Sequence, residues 1–180
     1  MISISDSLKL QDIKIEDQPK LMKLLELIYL PAYKHLWMNE DCSFYLNRFY
    51  SLKNLELELS DSNAAYYFVS YNSNLVGIFR FIYSQPFIDF PKKKSAYLNR
   101  IYLSKNAQGK GVANQLFLWA ENKLKYQGHT LIWLKAMGSQ KQALRFYEKQ
   151  GYSYGTPTQL DFELIHSNLR GMKVMYKLLN

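Results

Sequence analysis

Cysteine is nearly absent from this sequence, and long apolar runs are absent altogether. The one cysteine, Cys42, excludes a disulfide within the chain and fits a reducing compartment. We interpret it as a small buried apolar residue rather than a nucleophile. No run approaches the roughly 20 apolar residues of a membrane-spanning helix, and residues 1–6 lack the basic and apolar segments of a signal peptide. We therefore expect a cytoplasmic protein with no membrane contact.

Histidine is also scarce, and this restricts the chemistry that the chain can carry. The three histidines, His35, His129 and His166, do not have metal-ligand spacing and form no recognisable constellation with Cys42. No Ser-His-Asp arrangement can be argued either. We therefore expect no metal site and interpret the histidines as structural or exposed.

What the sequence does contain indicates a globular chain with an uneven charge. Hydrophobic residues make up 48% of 180 residues, which suffices for a core, and we find no internal repeat or linker. We expect a single domain over residues 1–180. Residues 1–61 hold 7 Lys/Arg and 10 Asp/Glu, whereas residues 62–180 hold 16 and 5. A positive field over the second part favours an anionic ligand.

Nucleic-acid binding is the competing explanation for a sequence pI of about 9.4. However, the lysines are scattered, and their one cluster, Lys92-Lys93-Lys94, follows Pro91 in a region that reads as a loop. We interpret this cluster as a solvated loop and expect no nucleic-acid partner.

The most informative stretch runs from Ala96 to Gly128. Its first part, about 95–103, is rich in β-branched, aromatic and aliphatic residues and predicts a strand. Its second part, about 109–127, has the apolar spacing of a helix at Ala113, Leu116, Phe117, Ala120 and Leu124. The turn between them, Gln108-Gly109-Lys110-Gly111, has two glycines that tolerate positive φ and close approach. A strand, a glycine turn and a helix N-terminus together predict an anion site suited to phosphate.

The remaining pattern is mixed α and β around one sheet. Helices are predicted over about 17–30, ended or kinked by Pro31, over 43–59 and over 139–150. Strands are predicted over 8–13, 65–70, 75–83, 130–136, 152–157 and 172–179, with a turn at 71–74 and a bulge or close approach at Gly77. Residues 158–171 fit either a strand plus loop or an insertion.

Two motifs in this order resemble those of the GNAT superfamily of acyl-CoA N-acyltransferases. Gln108-x-x-Gly111-x-Ala113, after the strand that holds Ile101 and Leu103, resembles motif A, whose amides hold the coenzyme A pyrophosphate. The run from Ala143 to Tyr152 resembles motif B, Ala-x-x-Phe-Tyr-x-Lys-x-Gly-Phe/Tyr. The resemblance is good from roughly 63 to 152 and vaguer on either side.

The resemblance implies a fold, a cosubstrate and a set of contacts. The implied fold is a central mixed, mostly antiparallel twisted sheet of about six to seven strands flanked by about four helices. The cosubstrate is acetyl-CoA, with the backbone of Ile101, Tyr102 and Leu103 pairing with pantetheine. The Leu103 amide is the implied donor to the thioester oxygen. The pyrophosphate would be held by the segment from Gln108 to Ala113, which comprises Gln108, Gly109, Lys110, Gly111, Val112 and Ala113. Lys110 adds charge or points to solvent.

Motif B implies that Tyr147 is the general acid for the departing thiolate. A phenol with an ordinary pKa of about 10 is protonated at neutral pH and can donate to a thiolate. The structural alternative is that Tyr147 only packs, four residues after Ala143 on one helix face. Lys149 either reaches a cofactor phosphate or lies in water. Gln140 stands where the family has Asn, so its contact with the pantetheine arm is an expectation only.

The base for the acceptor amine is where the sequence departs from its relatives. Many of them have a carboxylate on the central strand, but the corresponding positions here are Asn99 and Tyr97. A relay through Tyr97, water, Asp89, or the carboxylates Glu40 and Asp41 remains open. In the family the segment between the first two helices borders the acceptor pocket, and here it contains His35, Trp37, Glu40 and Asp41. The alternative for each of these is an ordinary surface connection.

Two functional hypotheses follow. The first is an N-acetyltransferase that transfers an acetyl group in a ternary complex to a primary amine of a small molecule, polyamine-like or otherwise, or of a protein. The second is a non-catalytic acyl-CoA-binding module with the same fold, which the missing strand carboxylate keeps open. The apolar last strand permits a homodimer.

Overall fold

The structure, a computed structural model, describes residues 1–179. Within them the chain forms nine β-strands in a mixed, mostly antiparallel sheet, and five α-helices. The strands are β1 (Ile2–Ser3), β2 (Leu8–Asp12), β3 (Ala64–Tyr71), β4 (Asn74–Ile82), β5 (Ser95–Leu103), β6 (Leu131–Met137), β7 (Ser153–Tyr154), β8 (Thr158–Gln159) and β9 (Gly171–Leu178). The helices are α1 (Gln18–Tyr33), α2 (Ser43–Tyr50), α3 (Leu52–Ser60), α4 (Val112–Tyr126) and α5 (Lys141–Lys149).

Both element counts exceed the prediction. Three of the strands, β1, β7 and β8, have only two residues each, which is too short for a periodic signal. The predicted helix over 43–59 is wrong as one element, because it consists of two helices. The last residue of the predicted single domain, Asn180, lies outside the described residues, and the single domain stays a prediction.

The first of two compact units comprises Met1–Phe81 and Arg100–Phe117. Its strand order is β1-β2-β3-β4-β5, of which β5 contributes its C-terminal part. β2 and β3 are antiparallel from Leu8↔Tyr71 to Asp12↔Tyr67. The turn predicted at 71–74 joins β3 to β4, and its two central residues, Asn72 and Ser73, have φ of 47° and 63°. Helix α1 buries one face, which carries Leu21, Leu24, Leu25, Ile28 and Tyr29, at the predicted helical spacing.

Two helix boundaries in the first unit differ from the prediction. Helix α1 does not end at Leu30 but continues through Pro31 to Tyr33, whose ring stacks on that of Tyr29 at 4.6 Å. Ser51 separates α2 from α3 because its backbone is extended, with φ −61° and ψ 157°. Its hydroxyl accepts a hydrogen bond from the Asn54 amide at 3.4 Å, the capping role that serine favours at helix N-termini.

The second unit comprises Ile82–Asn99 and the chain from Leu118 onward. Its strand order is β5-β6-β9-β7, and β8 also pairs with β9. β5 and β6 are parallel from Ser95↔Leu131 to Leu98↔Leu134, whereas β6 and β9 are antiparallel. Part of its core is an aromatic and aliphatic cluster of Phe87, Leu131, Trp133 and Val174. The segment 158–171 is a short strand followed by a loop, the first of the two alternatives.

None of the helices found in residues 1–179 is both long enough and apolar enough to span a bilayer.

Candidate active site

The predicted phosphate turn is exposed and opens helix α4. After β5, a short 3₁₀ turn over Lys105–Ala107 leads into Gln108–Gly111, all of which are exposed. Gly109 and Gly111 have φ of 71° and 75°, in the region that favours glycine. An added Cβ would meet nothing within 4 Å at either position, so the space beside this turn is open. Helix α4 then begins at Val112, and the amides of its first turn have no acceptor inside the helix.

The six residues predicted to hold the pyrophosphate, Gln108 to Ala113, thus form one continuous segment that leads into the first turn of α4. Val112 is fully buried and Ala113 is half-buried, which anchors the first turn of α4. Glycines with positive φ followed by a helix N-terminus aim backbone N–H groups and the positive end of the helix dipole at one place. Such an arrangement can bind a phosphate or a diphosphate.

The end of β5 lies unusually close to β4. A Cβ at Gly77 would be 2.2 Å from the carbonyl oxygen of Tyr102 and 2.7 Å from Cδ2 of Leu103. The predicted close approach at Gly77 is thus confirmed, since only glycine fits there. The amide of Ser104 donates to the carbonyl of Val76 at 2.7 Å. This contact holds the last residues of β5, including half-buried Ile101, Tyr102 and Leu103, beside β4.

Four tyrosine rings surround this end of β5 in the first unit. We call them the tyrosine cluster: Tyr29 and Tyr33 of α1, Tyr45 of α2, and Tyr102 of β5. Tyr29 is buried and stacks on Tyr45 at 4.5 Å, and the other three members are half-buried. The hydroxyls of Tyr45 and Tyr102 are 3.0 Å apart. Burial raises the pKa of Tyr102 well above its ordinary value, so this phenol stays protonated.

Sequence reasoning missed this cluster. Tyr45 and Tyr102, whose hydroxyls are hydrogen-bonded to each other, are 57 residues apart in the sequence. Because the chain has 15 tyrosines, their identity alone does not single out these four. The spacing of Tyr29 and Tyr33, one helical turn apart, was the only local signal.

The second unit contains the other three predicted site residues, all in or beside α5. Gln140 precedes α5, and its carbonyl accepts from the Leu144 amide at 3.1 Å. Tyr147 is buried, with 8% of its surface exposed, and this burial raises its pKa to about 12. Its ring lies edge-on to Phe146 at 5.6 Å. Lys149 is exposed. The helix predicted over 139–150 begins at Lys141, two residues later than predicted, and Gln140 is its N-cap residue.

Tyr152 lies next to Tyr147 and ties α5 to α4 and β9. Its hydroxyl donates to Oε1 of buried Glu121 at 3.3 Å, and Oε2 of Glu121 accepts from Lys177 at 2.7 Å. Burial and the Glu121 carboxylate raise the pKa of Tyr152 well above its ordinary value. The amide of Tyr152 also donates to the carbonyl of Tyr147 at 3.0 Å, which fixes the end of the helix that carries Tyr147.

The carboxylates considered for the acceptor amine are already engaged. Glu40 pairs with Lys34 at 2.6 Å. Asp41 accepts from the Ser43 amide at 2.8 Å at the start of α2, and hydrogen bonds from Ser43 lower its pKa. In the second unit, Asp89 accepts from the Thr156 amide at 2.8 Å. Tyr97, on β5, stacks on Trp133 at 4.2 Å.

The remaining residues singled out from the sequence have structural environments. Trp37 is buried and its indole donates to the hydroxyl of Tyr29 at 3.3 Å. His35 and His166 are exposed, whereas His129 is buried. Cys42 is 1% exposed, as expected for a small apolar residue, and burial raises its pKa to about 11. Among residues 1–179 no group of His, Cys, Asp and Glu side chains has the geometry of a metal site.

Comparison with known proteins agrees with this geometry. Residues 20–152 match the profile described as Acetyltransferase (GNAT) family. A protein of Lactobacillus delbrueckii subsp. lactis, described as an uncharacterized N-acetyltransferase in the pepI 3′ region, is 21% identical over 164 residues. That alignment covers 87% of this chain and 95% of the relative.

Two solved structures match nearly the whole chain. The PaiA N-acetyltransferase of Thermoplasma acidophilum, in complex with coenzyme A, has a TM-score of 0.72 at 20% identity, covering 96% of this chain and 99% of that one. The spermidine N-acetyltransferase of Vibrio cholerae, in complex with CoA and spermine, has a TM-score of 0.68 at 20% identity, covering 97% of each chain. At such identities these matches establish the fold.

Proposed function

Since the chain belongs to the GNAT family of acetyltransferases and is thus an acetyl-CoA-dependent N-acetyltransferase, we propose that its acceptor is the primary amine of a small molecule or a protein. The acetyl group moves in a single step within a ternary complex. The amine nitrogen attacks the thioester carbonyl carbon and gives up one proton, the bond from carbon to sulfur breaks, and the CoA thiolate takes up a proton.

The observation that carries this proposal is the open turn at Gly109 and Gly111 in front of α4. Both glycines have positive φ, and the space beside them is unfilled. The CoA pyrophosphate binds there through the amides from Gln108 to Ala113, because a helix N-terminus favours a multiply charged anion. The exposed ammonium of Lys110 adds positive charge near the same turn.

The pantetheine arm follows the end of β5. The register of β5 with β6 covers Ser95–Leu98, and β5 itself continues to Leu103. The backbone groups of Ile101, Tyr102 and Leu103 pair with the amide groups of the arm in the manner of a neighbouring strand. The Leu103 amide then donates to the thioester oxygen, where negative charge develops as the amine attacks.

Tyr147 supplies the proton for the thiolate. Its pKa of about 12 keeps it protonated at neutral pH, as a general acid requires. The polar groups of Gln140 and Lys149, on the same helix or next to it, contact the arm and a cofactor phosphate. The contacts of these residues with acetyl-CoA are predictions. The formation of a homodimer through the last strand is likewise a prediction.

Calorimetry and a turnover assay test the proposal together. We expect acetyl-CoA and CoA to bind with similar affinity, and pantetheine, which lacks the diphosphate, to bind much more weakly. A panel of primary amines with acetyl-CoA should release free thiol in step with acetylated product. Absence of heat from acetyl-CoA would overturn the proposal. Binding without turnover of any amine would support the second hypothesis, a non-catalytic acyl-CoA-binding module.

A further inference from the structure

The tyrosine cluster presents a set of aromatic faces and edges in one place. Tyr29 stacks on Tyr33 at 4.6 Å and on Tyr45 at 4.5 Å, with interplanar angles of 22° and 11°. Tyr102 meets Tyr29 and Tyr33 edge-on, each at 5.7 Å between ring centroids. Tyr33, Tyr45 and Tyr102 are half-buried, so each of these residues keeps some solvent-accessible surface. A flat ring can join such an array by offset stacking or edge-to-face contact.

The cluster is continuous with the part of β5 to which the proposed function assigns the thioester. Tyr102 lies between Ile101 and Leu103, and its hydroxyl is 3.0 Å from that of Tyr45. An attacking amine must come within about 3–3.5 Å of the thioester carbon. The molecule that carries the amine therefore lies beside Tyr102 and the rings that touch it.

Strand β5 offers no carboxylate to a polyamine, and three carboxylates of the neighbouring segments already have partners, whereas Glu26 of α1 and Glu56 of α3 are exposed. Strand β5 has no Asp or Glu. The carboxylates between α1 and α2 are held by partners, Glu40 by Lys34 and Asp41 by the Ser43 amide. Glu58 of α3 is held by Arg100 at 2.6 Å. The end of β5 thus gives a polyamine no carboxylate of its own, whereas the tyrosine cluster gives an aromatic ring several ring contacts.

The lack of a carboxylate on β5 also means that this strand offers no carboxylate base to deprotonate the acceptor amine. Only the neutral amine is a nucleophile. At pH 7.4 an alkylamine with a pKa of about 10.4 is about 0.1% neutral, whereas an α-amine with a pKa of about 7.8 is about 30% neutral. A weakly basic amine thus presents roughly 300 times more of its reactive form without help from a protein base.

From these observations, and resting on the proposed function, we infer that the acceptor is a weakly basic primary amine on a molecule that also carries an aromatic ring. The α-amine of an aromatic amino-acid derivative is an example. The ring packs on the tyrosine cluster, and Tyr33 and Tyr45 select it. The amine binds in its neutral form, attacks the thioester carbon, and loses its extra proton to water as the bond from carbon to sulfur breaks.

A matched pair of acceptors tests the inference. Phenylalanine amide and cyclohexylalanine amide have the same α-amine and the same frame, but only the first has an aromatic ring. We expect kcat/KM for phenylalanine amide to exceed that for cyclohexylalanine amide by about two- to ten-fold, the range of an aromatic contact, and to exceed that for spermidine by more. Equal values for the pair, or a preference for spermidine, would overturn the inference and leave the proposed function intact. No acetylation of any amine would overturn the proposed function instead.

Variants of the cluster assign the preference to these rings. Tyr33→Leu should remove the preference within the pair, with binding of CoA unchanged, and Tyr33→Phe should keep it. Tyr126→Leu is the matched control, because Tyr126 is 94% exposed and outside the cluster. An unchanged preference in Tyr33→Leu would contradict the role of Tyr33. Tyr45→Leu serves as the second variant, and thermal unfolding identifies any variant that does not fold, in which case the acceptor pair decides.

Discussion

Nη1 of Arg100 lies 2.6 Å from Oε2 of Glu58, although 42 residues separate the two along the chain. Arg100 is 7% exposed and Glu58 15% exposed, so the pair joins α3 to β5 in a largely water-free environment. Arg80 lies near the same carboxylate oxygen, with Nε at 3.8 Å. One carboxylate thus faces two guanidinium groups in the first unit.

Removing that carboxylate should destabilise the protein strongly. We expect Glu58→Gln to lower the free energy of unfolding by about 3–5 kcal/mol, because it leaves buried guanidinium charge without its partner. Urea unfolding measures this change. Glu56→Gln is the matched control, since Glu56 lies exposed on the same helix and should change stability by less than about 0.5 kcal/mol. Equal effects of the two substitutions would contradict the importance of the buried pair.

Substitution of two glycines with similar backbone conformation should distinguish an effect on cofactor binding from an effect on stability. Gly111 and Gly128 have φ of 75° and 77°, and Ala at either position should cost about 1–2 kcal/mol of stability for the left-handed backbone. Only Gly111→Ala should also weaken CoA binding, because it alters the proposed phosphate turn. Calorimetry gives the dissociation constants. Similar CoA affinity in both variants would argue against a phosphate site at this turn.

Loss of the Tyr147 hydroxyl should affect the chemical step. We expect Tyr147→Phe to lower kcat by about 10²–10⁴-fold, the range for a general acid, while binding of CoA stays unchanged. Thiol release at saturating acetyl-CoA measures the rate. Tyr154→Phe removes another phenol, one that is 48% exposed and bonded to Glu148, and should leave kcat as it was. If Tyr147→Phe turns over at the parent rate at every pH, Tyr147 is not the acid.

His129 should make stability depend on pH. The ring is 4% exposed, and burial lowers its pKa below the ordinary value of 6.5. The unfolded chain then binds a proton more readily than the folded one, so the free energy of unfolding falls as pH drops below about 6.5 and levels off below the folded pKa. We expect His129→Gln to flatten this dependence between pH 7 and pH 5.

Urea unfolding across that pH range measures the effect of His129. The exposed His166 provides the control, because His166→Gln should leave the slope as it is. Parallel curves for the parent protein and His129→Gln would contradict the prediction.

Local signals predicted the elements that surround the proposed cofactor site. The strand over 95–103 and the turn at Gln108–Gly111 were predictable because β-rich composition and paired glycines act over a few residues. The fold that the two motifs implied is confirmed by the family match and by the solved structures. The phosphate role of the turn stays a prediction.

Long-range contacts explain what the sequence did not predict. The carbonyl of Tyr50, at the C-terminal end of α2, accepts a hydrogen bond from the side-chain amide of Gln18 at 2.8 Å, although the two residues are 32 apart in the sequence. The residues around Ser51 give no local sign of this distant contact. The apolar spacing over 43–59 therefore predicted one continuous helix. Likewise, α1 passes through Pro31 because Tyr33 packs on Tyr29 and Tyr102, and tertiary packing outweighs local propensity.

The 2.2 Å that separates an added Cβ at Gly77 from the Tyr102 carbonyl oxygen has a consequence for directed evolution. A library that randomises β4 and is selected for folded protein should return glycine at this codon and diversity at its neighbours. Even the smallest side chain would push the main chain of the adjacent strand outward. Position 77 is therefore expected to stay glycine in every variant that keeps β4 and β5 this close together.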